Sequence, residues 1–456
     1  MRRAAARLIV AGTGSGCGKT TATCAILQAL ADRGADVAAF KCGPDYIDPM
    51  FHSEIIGADG GNIDLFFTGR DAARSLFLTN ARGLNVVEGA MGYYDGLSAR
   101  SAEASTWAVA EALDAPALLV VNARAMALSA AAVVKGFLSL RDPRHLAGVL
   151  QNGVSAHIYP DLKAVIEAEC GVRVYGYLPN MPECVLESRH LGLVTAREVD
   201  GLRRKTRLLA AQAEKSVDID GLIELMQSQP ALEAKDLSVQ RVADVRIAVA
   251  RDRAFCFYYR DNLMLLEALG ATLVPFSPLT DAALPDCDGL YIGGGYPELH
   301  TRALAENAGM RRSIRDAVRG CLPTVAECGG FMYLTENIDG FPMAGVLPGN
   351  CADRGRLVRF GYVALRADSD SLLFGAGESI RGHEFHHWDA ESPGDALTAV
   401  KPSGRSWRCA HATDTLYAGF PHLSFWSNPG AAERFVRKCA ERNHGYEADG
   451  HRTAQL

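Results

Sequence analysis

The glycine-rich segment at residues 12–21 constrains the fold of this chain more than any other feature. It reads GTGSGCGKTT, follows an apolar strand pattern at residues 7–11 and opens a helical pattern at residues 20–33, which Gly34 ends. Glycines in this context let backbone N–H groups curl around a phosphate at a helix N-terminus. The segment therefore predicts a phosphate-binding loop between a buried strand and a helix.

The loop is one residue longer than the usual Gly-x-x-x-x-Gly-Lys-Ser/Thr pattern. The usual pattern would have its first glycine at position 13, where this chain has Thr13. The glycine is Gly12 instead, so five residues separate it from Gly18. In such loops the lysine reaches the β and γ phosphates and the following hydroxyl holds Mg²⁺. We expect a nucleotide to be bound by Gly12, Gly14, Ser15, Gly16, Gly18, Lys19, Thr20 and Thr21.

Short apolar runs alternate with helical patterns on both sides of a polar segment at residues 233–244. This alternation is typical of doubly wound parallel sheets with helices on both faces. A mixed-charge stretch at about residues 202–229 precedes the polar segment, and we expect it to be helical. The sequence thus predicts two α/β domains with the linker at residues 233–244.

Composition excludes several other classes of protein. The 456 residues are 48% hydrophobic and 22% charged, as in soluble globular proteins, which argues against disorder and coiled coil. A net charge of −6 gives no reason to expect nucleic acid as a partner. The sequence contains no run of about 18 apolar residues, so no membrane span is predicted. The twelve cysteines form no C-x-x-C pair, so we expect free thiols in a reducing cytoplasm.

Acidic residues follow two of the predicted strands, where ligands bind in open α/β sheets. Glu88 ends an apolar strand, and Asp45 follows another, so we expect both to bind Mg²⁺ together with Thr20. Asp48 and Asp95 are candidates for substrate contact. For both, the alternative of a turn-forming aspartate stays open.

Two motifs in the second half point to nucleophilic catalysis. The triple glycine at residues 293–295 follows a strand and could present N–H donors to a developing oxyanion, so we assign Gly294 and Gly295 to substrate binding. Cys328 stands between a strand and a helix, followed by two glycines. That turn lowers the pKa of a thiol and exposes its sulfur, so the position predicts a nucleophile rather than a buried apolar cysteine.

A nucleophilic cysteine needs a base, and two histidine groups are candidates. His383, His386 and His387 lie in RGHEFHHW, whose residues favour a strand or turn over a helix. On a strand, the i, i+4 pair His383 and His387 would stand too far apart to share one metal ion easily. His422 follows an apolar segment late in the domain. We therefore predict His422 as the base.

With these residues in place, the chain resembles the cobyrinate (hydrogenobyrinate) a,c-diamide synthase family of glutamine-dependent amidotransferases. The similarity extends from the first strand to about residue 430. Its stretches are AGTGSGCGKTT, KCGPDYIDPMFH, VVEGAMGYYDG, ESRHLGLV, IAVARDRAFCFYYRDNL, GGGYPELH, AECGGFMYL and RGHEFHHW. The resemblance implies a P-loop amidoligase domain at residues 1–232 and a class I glutamine amidotransferase-like α/β domain at residues 245–436.

The resemblance also implies the reaction. Cys328, activated by His422, would release ammonia from L-glutamine. The first domain would use ATP and Mg²⁺ to phosphorylate the a and c acetate carboxylates of a corrin ring. Ammonia would then displace the phosphate and form the amides. Hydrogenobyrinate and nickel sirohydrochlorin are alternative substrates. A ParA-like ATPase switch and a dethiobiotin-synthase-like ligase are alternative functions, and a homodimer is an expected assembly.

The chain departs from related patterns around the base. Triad glutaminases carry a carboxylate two residues after the histidine, where this chain has Ser424, and the family it resembles also tends to lack that carboxylate. The family often has a second histidine at this same position, and its usual tyrosine after GHEFH is His387 here.

Overall fold

A computed structural model describes residues 2–141, 145–186 and 196–450 of the chain. Two compact units divide it, one running to Leu237 and the other beginning at Ser238. The functional domain bounds given above stay a prediction. The stretch ESRHLGLV, at residues 187–194, lies outside the described residues. None of the described helices is long and apolar enough to cross a membrane.

The first unit is built on a seven-stranded parallel sheet in the order β4-β3-β5-β2-β6-β7-β8. A two-stranded pairing of β1 with β9 lies apart from it. The strands are β1 (Arg2–Arg3), β2 (Ala6–Gly12), β3 (Val37–Cys42), β4 (Gly61–Ile63), β5 (Leu84–Glu88), β6 (Ala117–Asn122), β7 (Leu146–Asn152), β8 (Arg173–Leu178) and β9 (Leu232–Glu233).

Helices cover both faces of this sheet, as the two apolar clusters packed against it show. They are α1 (Lys19–Asp32), α2 (Ile47–Phe51), α3 (Leu65–Asn80), α4 (Thr106–Leu113), α5 (Ser129–Leu140), α6 (Tyr159–Cys170), α7 (Ala196–Ser216) and α8 (Ile219–Gln227), with a π turn at His52–Ile56 and a 3₁₀ turn at Pro182–Cys184. The doubly wound parallel sheet predicted for this half is confirmed.

The helix expected at about residues 202–229 is two helices. The chain breaks at Val217, whose backbone bridges to Gly176 of β8. Asp218 then starts α8 by accepting a hydrogen bond from the Gly221 N–H at 2.9 Å. An aspartate before an apolar helix is a favoured N-cap, so the break has a local cause.

The second unit contains a six-stranded sheet in the order β11-β10-β12-β13-β23-β22, parallel except at β22. An antiparallel sheet, β21-β20-β17-β18-β24, and a small sheet, β15-β14-β16-β19, complete it. The strands are β10 (Val245–Ala250), β11 (Ala271–Phe276), β12 (Gly289–Ile292), β13 (Thr324–Glu327), β14 (Asn337–Ile338), β15 (Phe341–Pro342), β16 (Asn350–Asp353), β17 (Arg359–Ala367), β18 (Ser379–His386), β19 (Trp388–Ala390), β20 (Leu397–Val400), β21 (Ser406–Cys409), β22 (His411–Ala412), β23 (Leu416–Gly419) and β24 (His422–Leu423).

Helices of this unit pack on the parallel sheet, and two apolar clusters form its core. They are α9 (Arg260–Ala268), α10 (Thr301–Glu306), α11 (Ala308–Arg319), α12 (Gly329–Leu334) and α13 (Pro429–Gly450), with 3₁₀ turns at Pro297–His300 and Phe425–Ser427. The second α/β unit is confirmed. Of the strand or turn expected for RGHEFHHW, residues 381–386 form part of strand β18.

Candidate active site

The predicted phosphate loop connects β2 to α1 at the carboxyl edge of the first sheet. Gly16 and Gly18 have φ values of 75° and 99°, which only glycine adopts without strain. Gly12 is closely packed, because a methyl group there would lie 2.7 Å from Lys19 Cδ. Ser15 and Gly16 are exposed at the tip of the loop, and Thr21 lies in the first turn of α1. The glycines thus allow the sharp turns of this loop, and phosphate binding by its residues stays a prediction.

The Lys19 side chain folds back over the loop. Its ammonium donates to the Gly14 carbonyl at 2.9 Å and to the Met91 carbonyl at 2.5 Å. Burial lowers the pKa of Lys19 from its ordinary value. Both present acceptors of the ammonium group are neutral carbonyl oxygens. A charged phosphate oxygen can replace them as its hydrogen-bond partner.

Glu88, at the end of β5, is the centre of a buried polar cluster. Its Oε1 accepts from the Thr20 hydroxyl at 2.6 Å and lies 3.0 Å from Lys41 Nζ, and its Oε2 lies 3.2 Å from His52 Nε2. Lys41 also contacts Asp48 at 2.5 Å. The predicted metal ligands Thr20 and Glu88 are thus brought into contact.

The electrostatics of this cluster favour an ionised Glu88. Burial opposes its charge, yet Lys41, His52 and Thr20 hold the pKa of Glu88 below its ordinary value. Burial would likewise lower the pKa of Lys41, but Glu88 and Asp48 raise it. Burial, assisted by Glu88, raises the pKa of Asp48 to about 7. Lys41 and His52 were missed from the sequence, although both lie in KCGPDYIDPMFH.

The structure places the other acidic candidates in turns or ion pairs. Asp45 Oδ1 accepts from the backbone N–H groups of Ile47 at 2.8 Å and Asp48 at 3.3 Å, which fixes the start of α2. Asp95 accepts from the Gly92 N–H at 2.8 Å. Metal binding by Asp45 and substrate binding by Asp48 and Asp95 stay predictions.

In the second unit, Cys328 occupies a sharp turn between β13 and α12. Its φ is 49° and its ψ is −106°, a backbone conformation that is costly for any residue other than glycine. Its N–H donates to the Gly419 carbonyl at 2.8 Å, which ties the turn to β23. A strained strand-to-helix turn of this kind is the geometry that presents a nucleophile.

Gly294 brings Cys328 and His422 to one place. A methyl group on Gly294 would overlap with His422 Cε1 and lie 3.1 Å from His422 Nε2 and 3.4 Å from Cys328 Cβ. The Gly293 N–H donates to the Tyr258 hydroxyl at 2.8 Å and is therefore engaged. The predicted nucleophile and base thus border the same glycine, whereas the oxyanion role of Gly294 and Gly295 stays a prediction.

A carboxyl group that the sequence did not single out lies beside the base. Glu327 Oε2 is 3.8 Å from His422 Nδ1 and accepts from the Tyr291 hydroxyl at 3.1 Å. Glu327 Oε1 accepts from the Leu423 N–H at 3.1 Å. Its position directly before Cys328 was the one signal in the sequence that could have pointed to Glu327. Its contact with His422 could not be read from the sequence, because more than ninety residues separate the two in the chain.

Burial sets the protonation of this site. It raises the pKa of the Cys328 thiol, with Glu298 adding to the rise, and it lowers the pKa of His422 to about 3. The lowered thiol pKa and the exposed sulfur expected from the turn are therefore wrong for this structure, because Cys328 is buried. A neutral imidazole beside a neutral thiol can accept the thiol proton, as a general base must.

Two histidines of RGHEFHHW, His383 and His386, lie near the base. His383 pairs across the strands with His422, and His386 stacks on Phe420 with ring centroids 3.8 Å apart. Among the described residues, no three His, Cys, Asp or Glu side chains are arranged to hold a metal ion.

Two family models match the chain, one on each unit. Residues 8–193 match the CobQ/CobB/MinD/ParA nucleotide binding domain, and residues 246–430 match the CobB/CobQ-like glutamine amidotransferase domain. The chain therefore carries a nucleotide-binding domain and a glutamine amidotransferase domain, as the fold prediction had them.

Curated relatives match nearly the whole chain. It is 38% identical to the cobyrinate a,c-diamide synthase of Caldanaerobacter subterraneus subsp. tengcongensis, over 95% of this chain and 98% of that protein. It is 38% identical to the enzyme of that name from Priestia megaterium and 40% identical to the one from Salmonella typhimurium, over 95% and 94% of this chain and 97% of each relative.

Proposed function

The chain belongs to the cobyrinate a,c-diamide synthase family, and from this premise we propose that it converts the a and c acetate carboxylates of cobyrinate to amides, using ATP and glutamine, in cobalamin biosynthesis. The observation that supports the proposal best is the presence of two different reaction centres in one chain. One gathers Lys19, Thr20 and Glu88 at a phosphate loop, and the other gathers Cys328 and His422 around Gly294.

The glutaminase half of the reaction follows from the second centre. As His422 takes the proton of Cys328, the sulfur attacks the side-chain amide carbon of glutamine and forms a bond to it. Return of the proton to the leaving nitrogen releases ammonia and leaves a thioester. Water then cleaves the carbon–sulfur bond, giving glutamate and the free thiol.

The synthetase half depends on the phosphate loop. A carboxylate is a poor electrophile, and transfer of the γ-phosphoryl group of ATP to one of its oxygens supplies a leaving group. The Lys19 ammonium can exchange its neutral carbonyl acceptors for the oxygens of the phosphoryl group and stay bonded to that group during its transfer. Ammonia then attacks the acyl carbon and phosphate leaves, so that one amide forms per ATP consumed.

Two side chains at the phosphate loop, one on α1 and one at the end of β5, fit Mg²⁺. The Thr20 hydroxyl and the Glu88 carboxylate are hard oxygen donors in contact with each other, and Mg²⁺ is commonly held by one or two such groups together with substrate phosphates and water. When bound, the ion neutralises charge on the nucleotide phosphates. Glu88 is kept ionised by Lys41 and His52, which suits it to this role.

The substrate is tested by mass spectrometry of the product. The protein is incubated with ATP, Mg²⁺, glutamine and, separately, cobyrinate, hydrogenobyrinate and nickel sirohydrochlorin. Two successive amidations of cobyrinate are expected. Amidation of another macrocycle in preference to cobyrinate would replace the substrate, and ATP hydrolysis without amidation of any of them would favour a ParA-like switch. The homodimer and the cytoplasmic location stay predictions.

A further inference from the structure

We propose that Glu327 is the positioning residue of His422, in place of the carboxylate that triad glutaminases carry two residues after the histidine. This chain has Ser424 at that position. The proposal rests on the glutaminase half of the proposed function. It assigns a role to a buried acidic side chain that neither the phosphate loop nor the nucleophile itself uses.

The two ring nitrogens of His422 face two different groups. Nε2 points toward the Gly294 position, which Cys328 Cβ also borders, whereas Nδ1 lies 3.8 Å from Glu327 Oε2. In a nucleophile–base–carboxylate arrangement the base uses one nitrogen for the nucleophile and the other for the orienting group. The ring of His422 is oriented in this way.

Glu327 is itself held in place from two sides. Tyr291 of β12 donates to Oε2, and the Leu423 N–H of β24 donates to Oε1, each at 3.1 Å. The second bond comes from the residue that follows His422, so the carboxyl group is tied to the same short strand as the base. Its distance to Nδ1 is longer than a hydrogen bond, and such contacts commonly shorten when substrate binds.

The topology explains how a residue adjacent to the nucleophile can reach behind the base. Strand β13 ends at Glu327 and pairs in parallel with β23, with Glu327 opposite Gly419. The chain then turns through Pro421 into β24, which pairs with β18 and whose Leu423 N–H bonds to Glu327 at the end of β13. Cys328 and Glu327 thus leave the strand end in succession, one toward each nitrogen of the imidazole.

The charge of Glu327 is the property that the proposal requires. Burial opposes that charge, because it raises the pKa of Glu327 to about 8, although Leu423 and Tyr291 limit the rise. Glu327 is therefore ionised above about pH 8, and the imidazolium that forms beside it favours its ionised form at lower pH. When His422 takes the proton of Cys328, the new positive charge forms next to this carboxylate in a site that excludes water. The titratable groups that face Glu327 or His422 are Tyr258, Tyr291, Tyr417, Cys328, His383 and His386.

The test is Glu327→Gln, which keeps the shape of the side chain and removes its charge. We expect kcat for glutamine hydrolysis to fall at least about tenfold, with KM for glutamine within about twofold. The pH midpoint for alkylation of Cys328 by iodoacetamide should move upward, because the imidazolium that supports the thiolate is less stable. Amidation driven by added ammonium should be unchanged.

Three further variants separate positioning from structure. Glu327→Asp keeps the charge and should lose less kcat than Glu327→Gln. Tyr291→Phe removes one donor to the carboxyl group and leaves the carboxylate beside His422, so its alkylation midpoint should move less. Glu378→Gln, which alters a carboxylate paired with Arg434 in the same unit, should change neither quantity.

A normal kcat and an unmoved alkylation midpoint in Glu327→Gln would overturn the proposal. If that variant also loses ammonium-driven amidation, it has not folded, and Glu327→Asp decides. A lowered kcat for glutamine hydrolysis in Glu327→Asp, with ammonium-driven amidation intact, supports the positioning role. A kcat and an alkylation midpoint equal to wild type contradict it. Absence of glutaminase activity in the wild-type protein would instead contradict the proposed function.

Discussion

Cys328 shows at the scale of one residue how the backbone prepares a site for chemistry. A cysteine at φ 49° and ψ −106° is held there by the turn from β13 into α12 and by its hydrogen bond to Gly419. Strain of this kind costs about 1–3 kcal/mol and persists only where the surrounding fold fixes it. The sequence predicted the turn, because a strand pattern runs directly into Cys328 and two glycines.

Gly294→Ala should remove glutaminase activity. The added methyl group overlaps with His422 Cε1, so the imidazole must leave its place beside Cys328. We expect glutamine-driven amidation to fall by about 100-fold, in line with displacement of a catalytic group, while ammonium-driven amidation continues. Gly136→Ala is the matched control, because a methyl group there meets nothing within 4 Å. Full glutaminase activity in Gly294→Ala would contradict the geometry.

Glu384→Gln should stabilise the protein at high pH only. Glu384 is buried, and burial raises its pKa to about 7 from an ordinary value of 4.5. A carboxyl group with a raised pKa in the folded state contributes its full stability below pH 4.5 and loses it as the pH rises through 7. The variant should therefore exceed wild type by up to about 3 kcal/mol in unfolding free energy at pH 8.5.

Urea unfolding at two pH values measures this difference. Near pH 4 the wild-type carboxyl group is protonated in both states, so the two proteins should differ little. A stabilisation of equal size at pH 4 and pH 8.5 would mean that the charge of Glu384 is not its cause.

At the scale of secondary structure elements, the carboxyl ends of parallel strands collect the charged groups of the first unit. Lys41 on β3 and Glu88 on β5 face each other because the two strands pair in register at those residues. Both are buried, and Lys41 also contacts Asp48 at the start of α2. The cluster thus joins two strands and a helix through one ammonium group.

Lys41→Met should destabilise the first unit. Removing one partner of a buried ion pair leaves an uncompensated charge, here on Glu88 and Asp48, at a cost of roughly 3–5 kcal/mol. The second substitution Asp48→Asn on this background should recover part of the loss. Thermal unfolding of the single and double variants measures both effects, and an unchanged transition in Lys41→Met would show that the cluster does not contribute to stability.

Most elements with a local cause were predictable, and those set by distant contacts were not. The phosphate loop, β13 and the strand at RGHEFHHW follow from glycine placement and residue type nearby. The break between α7 and α8 was missed, although Asp218 is a local cap, because the helical pattern continues across it. The strand β9 depends on Arg2 and Arg3 at the other end of the unit, which no local pattern reports.

At the scale of the whole molecule, the sequence predicted two α/β units and the two chemistries that they carry. Motif order along the chain was sufficient for that, since each motif lies at a strand end of its own unit. The partners of the motif residues were not predictable in the same way. His52 beside Glu88, and Glu327 beside His422, become neighbours only through the pairing order of the strands.

Lys19→Ala tests whether both nitrogen sources depend on the phosphate loop. The lysine serves phosphoryl transfer, which precedes the attack by ammonia from either source. Amidation should therefore fall by at least about 1000-fold with glutamine and with ammonium, as expected for loss of a phosphate-binding charge. Glutamine hydrolysis alone should continue, and a normal rate of amidation would reject the role of Lys19.

The coupling of the two centres is tested with Cys328→Ala, by comparing glutamine with ammonium as the nitrogen source. The variant is incubated with cobyrinate, ATP and Mg²⁺, and the mass of the product is measured. If one chain couples a cysteine glutaminase to a separate ATP-dependent amidation, glutamine should yield no diamide and ammonium should yield it at nearly the wild-type rate. Formation of diamide from glutamine, or loss of both reactions in a folded variant, would contradict the account.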